Sequence, residues 1–263
     1  MNRIAWLVIV VFQCTFCSTT LVEEPDPEPV SVSVMTYNIH HGAGVDGEVD
    51  IQRIADVILE ADPDLVSLQE VDRFVERTDR ADQAQQLEDL TGMFMAFGFA
   101  INYQGGDFGN VILSKYPFQQ LSLHPLPGDP GEDRTLMEAT ILVPGISDPV
   151  VFLATHLDTF RKPRTDSVPL ILDVVPDSSQ SLYVLAGDLN DAPGTPVMDA
   201  LNHRLISAAP AHLFTFPSYN PDRQIDHILY TSTAGWSVSL AEVIDEPLAS
   251  DHAPLMATFV FEP

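Results

Sequence analysis

Apolar runs of strand length recur through this chain, and nearly every one breaks off in a polar residue for which a core has no use. Met35-Thr36-Tyr37 leads into Asn38-Ile39-His40-His41-Gly42, and Val66-Ser67-Leu68 into Gln69-Glu70-Val71-Asp72. Val151 to Thr155 ends at His156, Ile225 precedes Asp226, and Ser250-Asp251-His252 stands before the last apolar run. In Leu182-Tyr183-Val184-Leu185-Ala186-Gly187-Asp188-Leu189-Asn190 a buried-strand pattern stops at glycine, and a carboxylate and a carboxamide follow two positions apart. Extended residues i and i+2 face the same side. Asp188 and Asn190 therefore aim an acceptor and a hydrogen-bond donor into one volume. Such a chain must pair its apolar runs into sheets, and the polar ends then collect where a rigid scaffold presents them.

Strands are expected at Val30 to Tyr37, Leu65 to Leu68, Val111 to Leu113, Leu136 to Val143, Val150 to Ala154, Ile225 to Tyr230 and Leu255 to Phe261. A turn at Pro144-Gly145 divides two of them. Ile51, Ile54, Ala55 and Ile58 follow helical spacing behind Asp50 as N-cap, Ala81 to Thr91 reads as a helix stopped by Gly92, and Pro196 opens a helix through Leu201 after Thr195. Pro125 to Arg134 reads as a loop. Many strands with helices near the start and middle imply two packed sheets with helices outside. Pattern alone reaches an α/β (α+β) class and no further.

A length of 263 residues with 45% hydrophobic side chains suits one large domain, expected over residues 31–263. Ahead of it, Met1-Asn2-Arg3, the apolar run Ile4 to Phe12 and the small residues Ser18 to Thr20 have the form of a secretory signal over residues 1–19. An acidic, proline-rich leader over residues 20–30 follows. The apolar run is short for a bilayer span and no other segment reads as transmembrane, so a secreted or periplasmic protein is expected. Cys14 and Cys17 are the only cysteines; either offers a lipid-attachment site, although large residues, Gln13 and Phe16, precede them where such signals take a small one. The formal net charge is −26 with 12 basic residues. That balance repels duplex nucleic acid at long range, and it equally suits salty surroundings. The basic residues cluster in two islands, Arg73, Arg77, Arg80 and Arg161, Lys162, Arg164, which suit a small phosphorylated head group.

The residue types fit one chemistry. Glu70 and Asp251 offer hard oxygen ligands and Asn38 a carbonyl, a set that suits Mg²⁺ or Mn²⁺. No cysteine is left for zinc, and the histidines lack tight metal spacing. His40 and His41, being adjacent, point to opposite sides if extended, so at most one is expected to face the site. Phosphate-ester hydrolysis needs a cation, an oriented water and a base. Asp188 suits the base; His252, held by Asp226, suits it equally, or donates to the phosphate. Taken singly, each residue has a plainer reading: Glu70 as a cap or a partner of Arg73, Asp251 as the cap of a turn, His156 as a structural histidine, Asn38 and Asn110 as turn residues. Their joint occurrence at strand ends is what points to a site.

The order of these motifs resembles the endonuclease/exonuclease/phosphatase superfamily. Thr36-Tyr37-Asn38, Leu68-Gln69-Glu70, Thr155-His156-Leu157, Gly187-Asp188-Leu189-Asn190, Ile225-Asp226-His227 and Ser250-Asp251-His252 follow the superfamily's order from Val32 to Phe261. The resemblance implies a four-layer α/β/β/α sandwich of two mostly antiparallel sheets with the site at one edge. It also implies that Asn38 and Glu70 hold the principal metal with Asp251 at or near it. Asp188 would orient or deprotonate water, Asn190 would fix the phosphate, His156 would contact it, and Asp226 and His252 would form an acid–histidine pair. Arg134 resembles an arginine that several members point at the phosphate; Asn110 and His40 are placed beside it as candidate phosphate contacts. The acid that abasic-site endonucleases carry two positions after the first Asn is His40 here, which favours a one-metal arrangement and weakens a DNA-repair reading. The segment Asn38 to Gly42 is similar to the exported bacterial branch. A secreted Mg²⁺- or Mn²⁺-dependent phosphodiesterase or phosphomonoesterase acting on a small or lipid-derived phosphate ester is therefore expected. The alternatives are an extracellular nuclease of the same fold and a non-catalytic binding protein, whose signature would be loss of Glu70, Asp188 or His252; all three are present.

Overall fold

Each of two six-stranded sheets is built round one parallel pair. A computed structural model describes residues 28–262. In chain order the strands are β1 (Val30–Asn38), β2 (Leu65–Arg73), β3 (Phe94–Tyr103), β4 (Gly106–Ser114), β5 (Phe118–Leu126), β6 (Arg134–Ile141), β7 (Val150–His156), β8 (Tyr183–Asp188), β9 (Ile206–Ser207), β10 (Asp226–Tyr230), β11 (Trp236–Val243) and β12 (Leu255–Phe261). The helices are α1 (Ile51–Ala61), α2 (Gln83–Thr91), α3 (Arg161–Val174) and α4 (Pro196–Leu201). The sheet orders are β11-β12-β1-β2-β4-β3 and β5-β6-β7-β8-β10-β9. Among the described residues only β1/β2 and β7/β8 pair in parallel.

Three apolar layers make a four-layer sandwich. Val32, Val34, Ile112, Phe152, Val184, Ala186, Ile228 and Phe259 meet between the sheets. Met35, Tyr37, Val66 and Leu68 pack outward on Ile54, Ile58 and Leu87 of α1 and α2. Leu153, Leu185 and Leu229 pack outward on Val168, Ile171, Val197 and Leu201 of α3 and α4. Central strands buried on both faces need apolar residues at every position, which is why they read as unbroken runs.

The caps behave as their chemistry requires. The Asp50 carboxylate accepts from the backbone N–H groups of Gln52 and Arg53. Thr195 Oγ1 accepts from Met198 N, and Pro196 starts α4. Gly92 ends α2 at φ 69°, a left-handed conformation that suits glycine.

The elements not anticipated are the sheet edges and α3. β3, β5, β9 and β11 are the four edge strands. Burial along β11 alternates between half-buried and exposed, and β5 is buried only at its last residue, so neither needs an apolar run. Helix α3 holds Pro163 and Pro169 and starts at Phe160 without a side-chain cap, so it carries breaker signals where start signals are expected. Asn110 corrects a turn reading: it lies within β4, opposite Gly98, and is buried. The signal segment, both cysteines and most of the leader lie outside the described residues. Among the described residues no helix is long and apolar enough to cross a membrane.

Candidate active site

The two parallel pairs deliver their polar ends to one place because the sheets nearly touch there. Ser67 Oγ donates to the carbonyl of Ala186 in the facing sheet at 3.0 Å. Ser250 Oγ, in the loop before β12, donates to the carbonyl of Asn38 at 2.7 Å. Gly187 is obligatory: a Cβ there would stand 2.0 Å from the carbonyl oxygen of Thr155. Asp226 lies directly opposite Asp188 in the β8/β10 ladder, and His156 pairs with Asp188 in the β7/β8 ladder.

Asn38 ties the sheets together. Its Nδ2 donates to Glu70 Oε1 and to Asp188 Oδ2, both at 3.1 Å. Its Oδ1 accepts from the backbone N–H of His40 at 3.0 Å. The carbonyl expected to face a metal is turned to the backbone, and Asn38 instead positions two carboxylates. Glu70 sits at φ 61°, where the β2/β4 register shifts between Leu68 and Val71; this bulge re-aims its side chain. It is not the partner of Arg73, which forks onto Asp82 at 2.8 and 2.5 Å.

His40 and His41 also depart from expectation. They lie in a tight turn, at φ 46° and 47°, not in an extended strand. Both rings therefore turn the same way, with centroids 4.5 Å apart. One ligating atom from each of His40, His41 and Glu70 falls within 4.8 Å of the others. Asp251 Oδ1 lies 3.9 Å from His40 Nδ1.

The other half of the site is buried. His252 Nδ1 and Asp226 Oδ2 are 2.9 Å apart, and Thr215 Oγ1 donates to the same oxygen at 2.5 Å. His252 Nε2 lies 3.8 Å from Asp188 Oδ2. Burial opposes a charge on His252, but the carboxylates of Asp226, Asp188 and Asp251 outweigh it and lift its pKa to about 10. Burial, then the charge of Asp226, raises Asp188 to about 7. His156 is held neutral, its pKa pushed well below the ordinary value by burial and by the charges of Arg134 and His252. Arg134 Nη1 lies 3.4 Å from its Nδ1, and Asn190 Nδ2 3.1 Å from its Nε2. Asn190 Nδ2 also donates to Leu157 O at 2.9 Å, and its backbone N–H donates to Asp188 Oδ1 at 2.8 Å.

These groups open into a cavity of 350 Å³ whose lining includes Glu70, Arg134, His156, Asp188, Asn190 and His252. Its other walls were not marked by the strand-end pattern. Arg77 stacks over Tyr103 and Phe108 at 4.7 and 5.5 Å, and Arg223 over Phe216 at 4.3 Å. Phe216 in turn packs against His252, ring centroids 4.7 Å apart. Asp158 was also missed: buried two residues after His156, it accepts from the backbone N–H groups of Glu132 and Phe160 at 2.7 and 2.6 Å and so ties the loop before Arg134 to the segment that leads into α3. The i, i+2 rule applied to His156 marks it. The basic islands are mostly spent internally: Arg77 forks onto Asp72, Arg164 pairs with Asp191, and Lys162 pairs with Asp166. Asn110 Nδ2 reaches only the carbonyl of Thr135, at 3.4 Å, and is not among the cavity residues.

The donor set suits a divalent cation. Among the described residues two groups of three can supply ligands, His40–His41–Glu70 and Asp188–Asp226–His252. In the second, Asp226 Oδ2 is already engaged by His252 and Thr215, while its buried Oδ1 has no hydrogen-bond partner. Glu70, with Asp251 beside His40, remains the open carboxylate side.

Comparison with known proteins agrees with this geometry. The model of the Endonuclease/Exonuclease/phosphatase family matches residues 35–252. The chain is 25% identical over 246 residues to the uncharacterized protein YbhP of Escherichia coli K12, covering 86% of this chain and 95% of that one. A crystal structure of an endonuclease/exonuclease/phosphatase from Beutenbergia cavernae superposes with TM-score 0.72 at 27% identity, over 88% of this chain and 72% of that one. A mannosyl-6-phosphatase of Bacteroides thetaiotaomicron shares the fold with TM-score 0.70 at 17% identity, over 88% of this chain and 100% of that one. With the matched region running from β1 to His252, the chain belongs to the endonuclease/exonuclease/phosphatase family of metal-dependent hydrolases acting on phosphate esters.

Proposed function

We propose that this enzyme is an exported phosphoesterase, dependent on Mg²⁺ or Mn²⁺, that hydrolyses a small or lipid-derived phosphate ester by in-line attack of water. Glu70 and Asp251 would hold the ion, which when bound neutralises charge developing on the phosphate. Asp188 takes the proton from water. His252, cationic because Asp226 holds it, faces the phosphate as acid or charge stabiliser. Asn190, His156 and Arg134 position the phosphate oxygens. Export rests on the signal-like residues 1–19, with lipid attachment at Cys14 or Cys17 as its variant.

The observation that carries this reading is the His252–Asp188 relationship. His252 is lifted to about 10 and Asp188 to about 7. A group still protonated at neutral pH is a poor base, and a carboxylate with a raised pKa is a better one. A compact ester suits a cavity of 350 Å³ with three arginines in its lining in a chain of net charge −26. A related fold that serves a mannosyl-6-phosphatase supports a sugar-phosphate-sized substrate.

The test is a panel of nitrophenyl phosphate, bis-nitrophenyl phosphate, sugar and inositol phosphates, sphingomyelin, and plasmid and single-stranded DNA. Each is assayed after EDTA treatment and after return of Mg²⁺ or Mn²⁺. Metal-restored hydrolysis of a small or lipid ester, lost in Asp188→Asn, supports the proposal. Rapid nicking of DNA with no turnover of the other esters replaces it with the nuclease reading.

A further inference from the structure

We infer that His40, His41 and Glu70 form a nitrogen-rich cation site that takes a first-row transition ion, such as Co²⁺ or Zn²⁺, in preference to Mg²⁺. The inference rests on the phosphoesterase reading only in that Glu70 is shared with the ion proposed there.

The backbone is built to bring the two rings together. Adjacent side chains on a strand diverge, so gathering two neighbouring histidines requires a sharp coil. His40, His41 and Glu70 all have positive φ, at 46°, 47° and 61°, and Gly42 continues the turn at 75°. Non-glycine residues in this region are uncommon and cluster at functional sites. The turn is tied down on every side. His40 N–H donates to Asn38 Oδ1 at 3.0 Å, Gln83 Nε2 to the carbonyl of His41 at 2.7 Å, and Ala43 N–H to that of His40 at 2.8 Å.

The ring nitrogens are placed as a cation needs. His40 Nδ1 lies 3.2 Å from the carbonyl of Ala43. A carbonyl only accepts, so Nδ1 is the donor to it and Nε2 is the nitrogen left to ligate. This carbonyl contact behind the ring is the usual support of a metal-bound histidine. His41 Nδ1 is buried and has no hydrogen-bond partner, an orphan that a bound cation would satisfy. The nearby charge of Arg77 is offset by Asp72, which accepts from its Nε and Nη2 at 2.8 and 2.9 Å.

Two imidazoles decide the selectivity. Mg²⁺ prefers oxygen and retains its waters, whereas imidazole suits later first-row ions. The ligand atoms lie within 4.8 Å of one another. A tetrahedral site with Zn–N bonds of about 2.0–2.1 Å needs edges of roughly 3.3 Å, so small ring rotations close it.

Calorimetric titration of the chelator-stripped full chain with Co²⁺, Zn²⁺ and Mg²⁺, together with the visible absorption of bound Co²⁺, tests this. Wild type should bind Co²⁺ and Zn²⁺ at least tenfold more tightly than Mg²⁺. His40→Asn and His41→Asn, chosen because Asn tolerates positive φ, should each weaken Co²⁺ binding at least tenfold and alter its spectrum. Mg²⁺ binding should stay within about twofold, and circular dichroism should report an unchanged fold. Glu70→Gln should weaken both ions. Equal Co²⁺ affinity and spectrum in wild type and either histidine variant overturns the site, as does a preference for Mg²⁺. If Mg²⁺-restored hydrolysis is found while Co²⁺ ignores the histidines, this inference alone fails. If hydrolysis is not found while Co²⁺ depends on both rings, the cation site stands without the phosphoesterase reading.

Discussion

His252 Nδ1 lies 2.9 Å from Asp226 Oδ2. A carboxylate oxygen only accepts, so Nδ1 carries the proton and Nε2 is the nitrogen that faces Asp188, 3.8 Å from its Oδ2. One buried carboxylate thus fixes the tautomer, the orientation and the charge of the ring that overlooks a second. This division of labour sets the expected results below.

Asp188→Asn keeps the size of the side chain, retains one acceptor of the two that serve Asn38 and Asn190, and removes the proposed base. Hydrolysis of the best ester should fall by about 10²–10⁴-fold in kcat/KM, the usual worth of a positioned acid or base. His252→Gln should fall by a similar order. Steady-state kinetics with both variants checks this; wild-type rates in either would overturn the assigned roles.

The Asp226–His252 pair should be visible in the pH dependence of stability. His252 is raised from 6.5 to about 10 in the folded chain. The stabilisation is therefore full below pH 6.5 and lost as pH rises through about 10. Asp226→Asn should be less stable than wild type near neutrality and should lose less stability between about pH 7 and pH 10. Urea midpoints across that range decide; parallel curves contradict the pairing.

Removal of the metal should stop turnover. EDTA should lower the rate on the order of a hundredfold or more, in line with the several kcal/mol a divalent cation contributes, and added Mg²⁺ or Mn²⁺ should restore it. Glu70→Gln should be slow even at saturating metal. Activity in EDTA equal to that in metal sinks the assignment.

Gly187→Ala should fail structurally. The new Cβ meets the carbonyl of Thr155 at 2.0 Å, and neither central strand can yield without opening the sheet. A loss of about 3 kcal/mol is expected, measured by urea denaturation; an unchanged midpoint contradicts the packing.

The two cavity arginines outside the strand ends should separate cleanly. Arg223 is exposed and stacks on Phe216, so Arg223→Ala should raise KM several-fold with stability intact. Arg77 neutralises the fully buried Asp72. Arg77→Ala should therefore cost about 3–5 kcal/mol, as when a buried ion pair loses one partner. Thermal melts and KM values on the two variants test the distinction.

Local pattern carried much of the architecture. The central strands were legible because burial on both faces demands apolar residues at every position, and α1, α2 and α4 because capping is a contact between near neighbours. The residues at the strand ends were legible as a group for the same reason: a polar side chain after a buried run needs a purpose. The edges β3, β5, β9 and β11 were not, since one neighbour and partial exposure leave their composition nearly free. Asn110 was misread because a residue beside glycine resembles a turn until its partner strand is known.

By itself the chain's order of residues determined where the central strands run, where α1, α2 and α4 lie, and that Asn38, His156, Asp188, Asp226 and His252 stand at strand ends or in the turns beside them; Glu70, read as following a strand, instead lies at a bulge within β2. Those follow from contacts within a few positions. Only the tertiary structure decided what each polar group faces. Asn38 and Asp188 are 150 positions apart yet share a 3.1 Å hydrogen bond, and that contact turns the amide nitrogen of Asn38 to the site. His40 and His41 face one way because a tied-down turn holds both at positive φ. Arg73 and Arg77 are spent on Asp82 and Asp72 because the folded chain places those carboxylates beside them. Side-chain direction, charge and protonation depend on neighbours brought from elsewhere in the chain, and periodicity along the sequence holds no record of them.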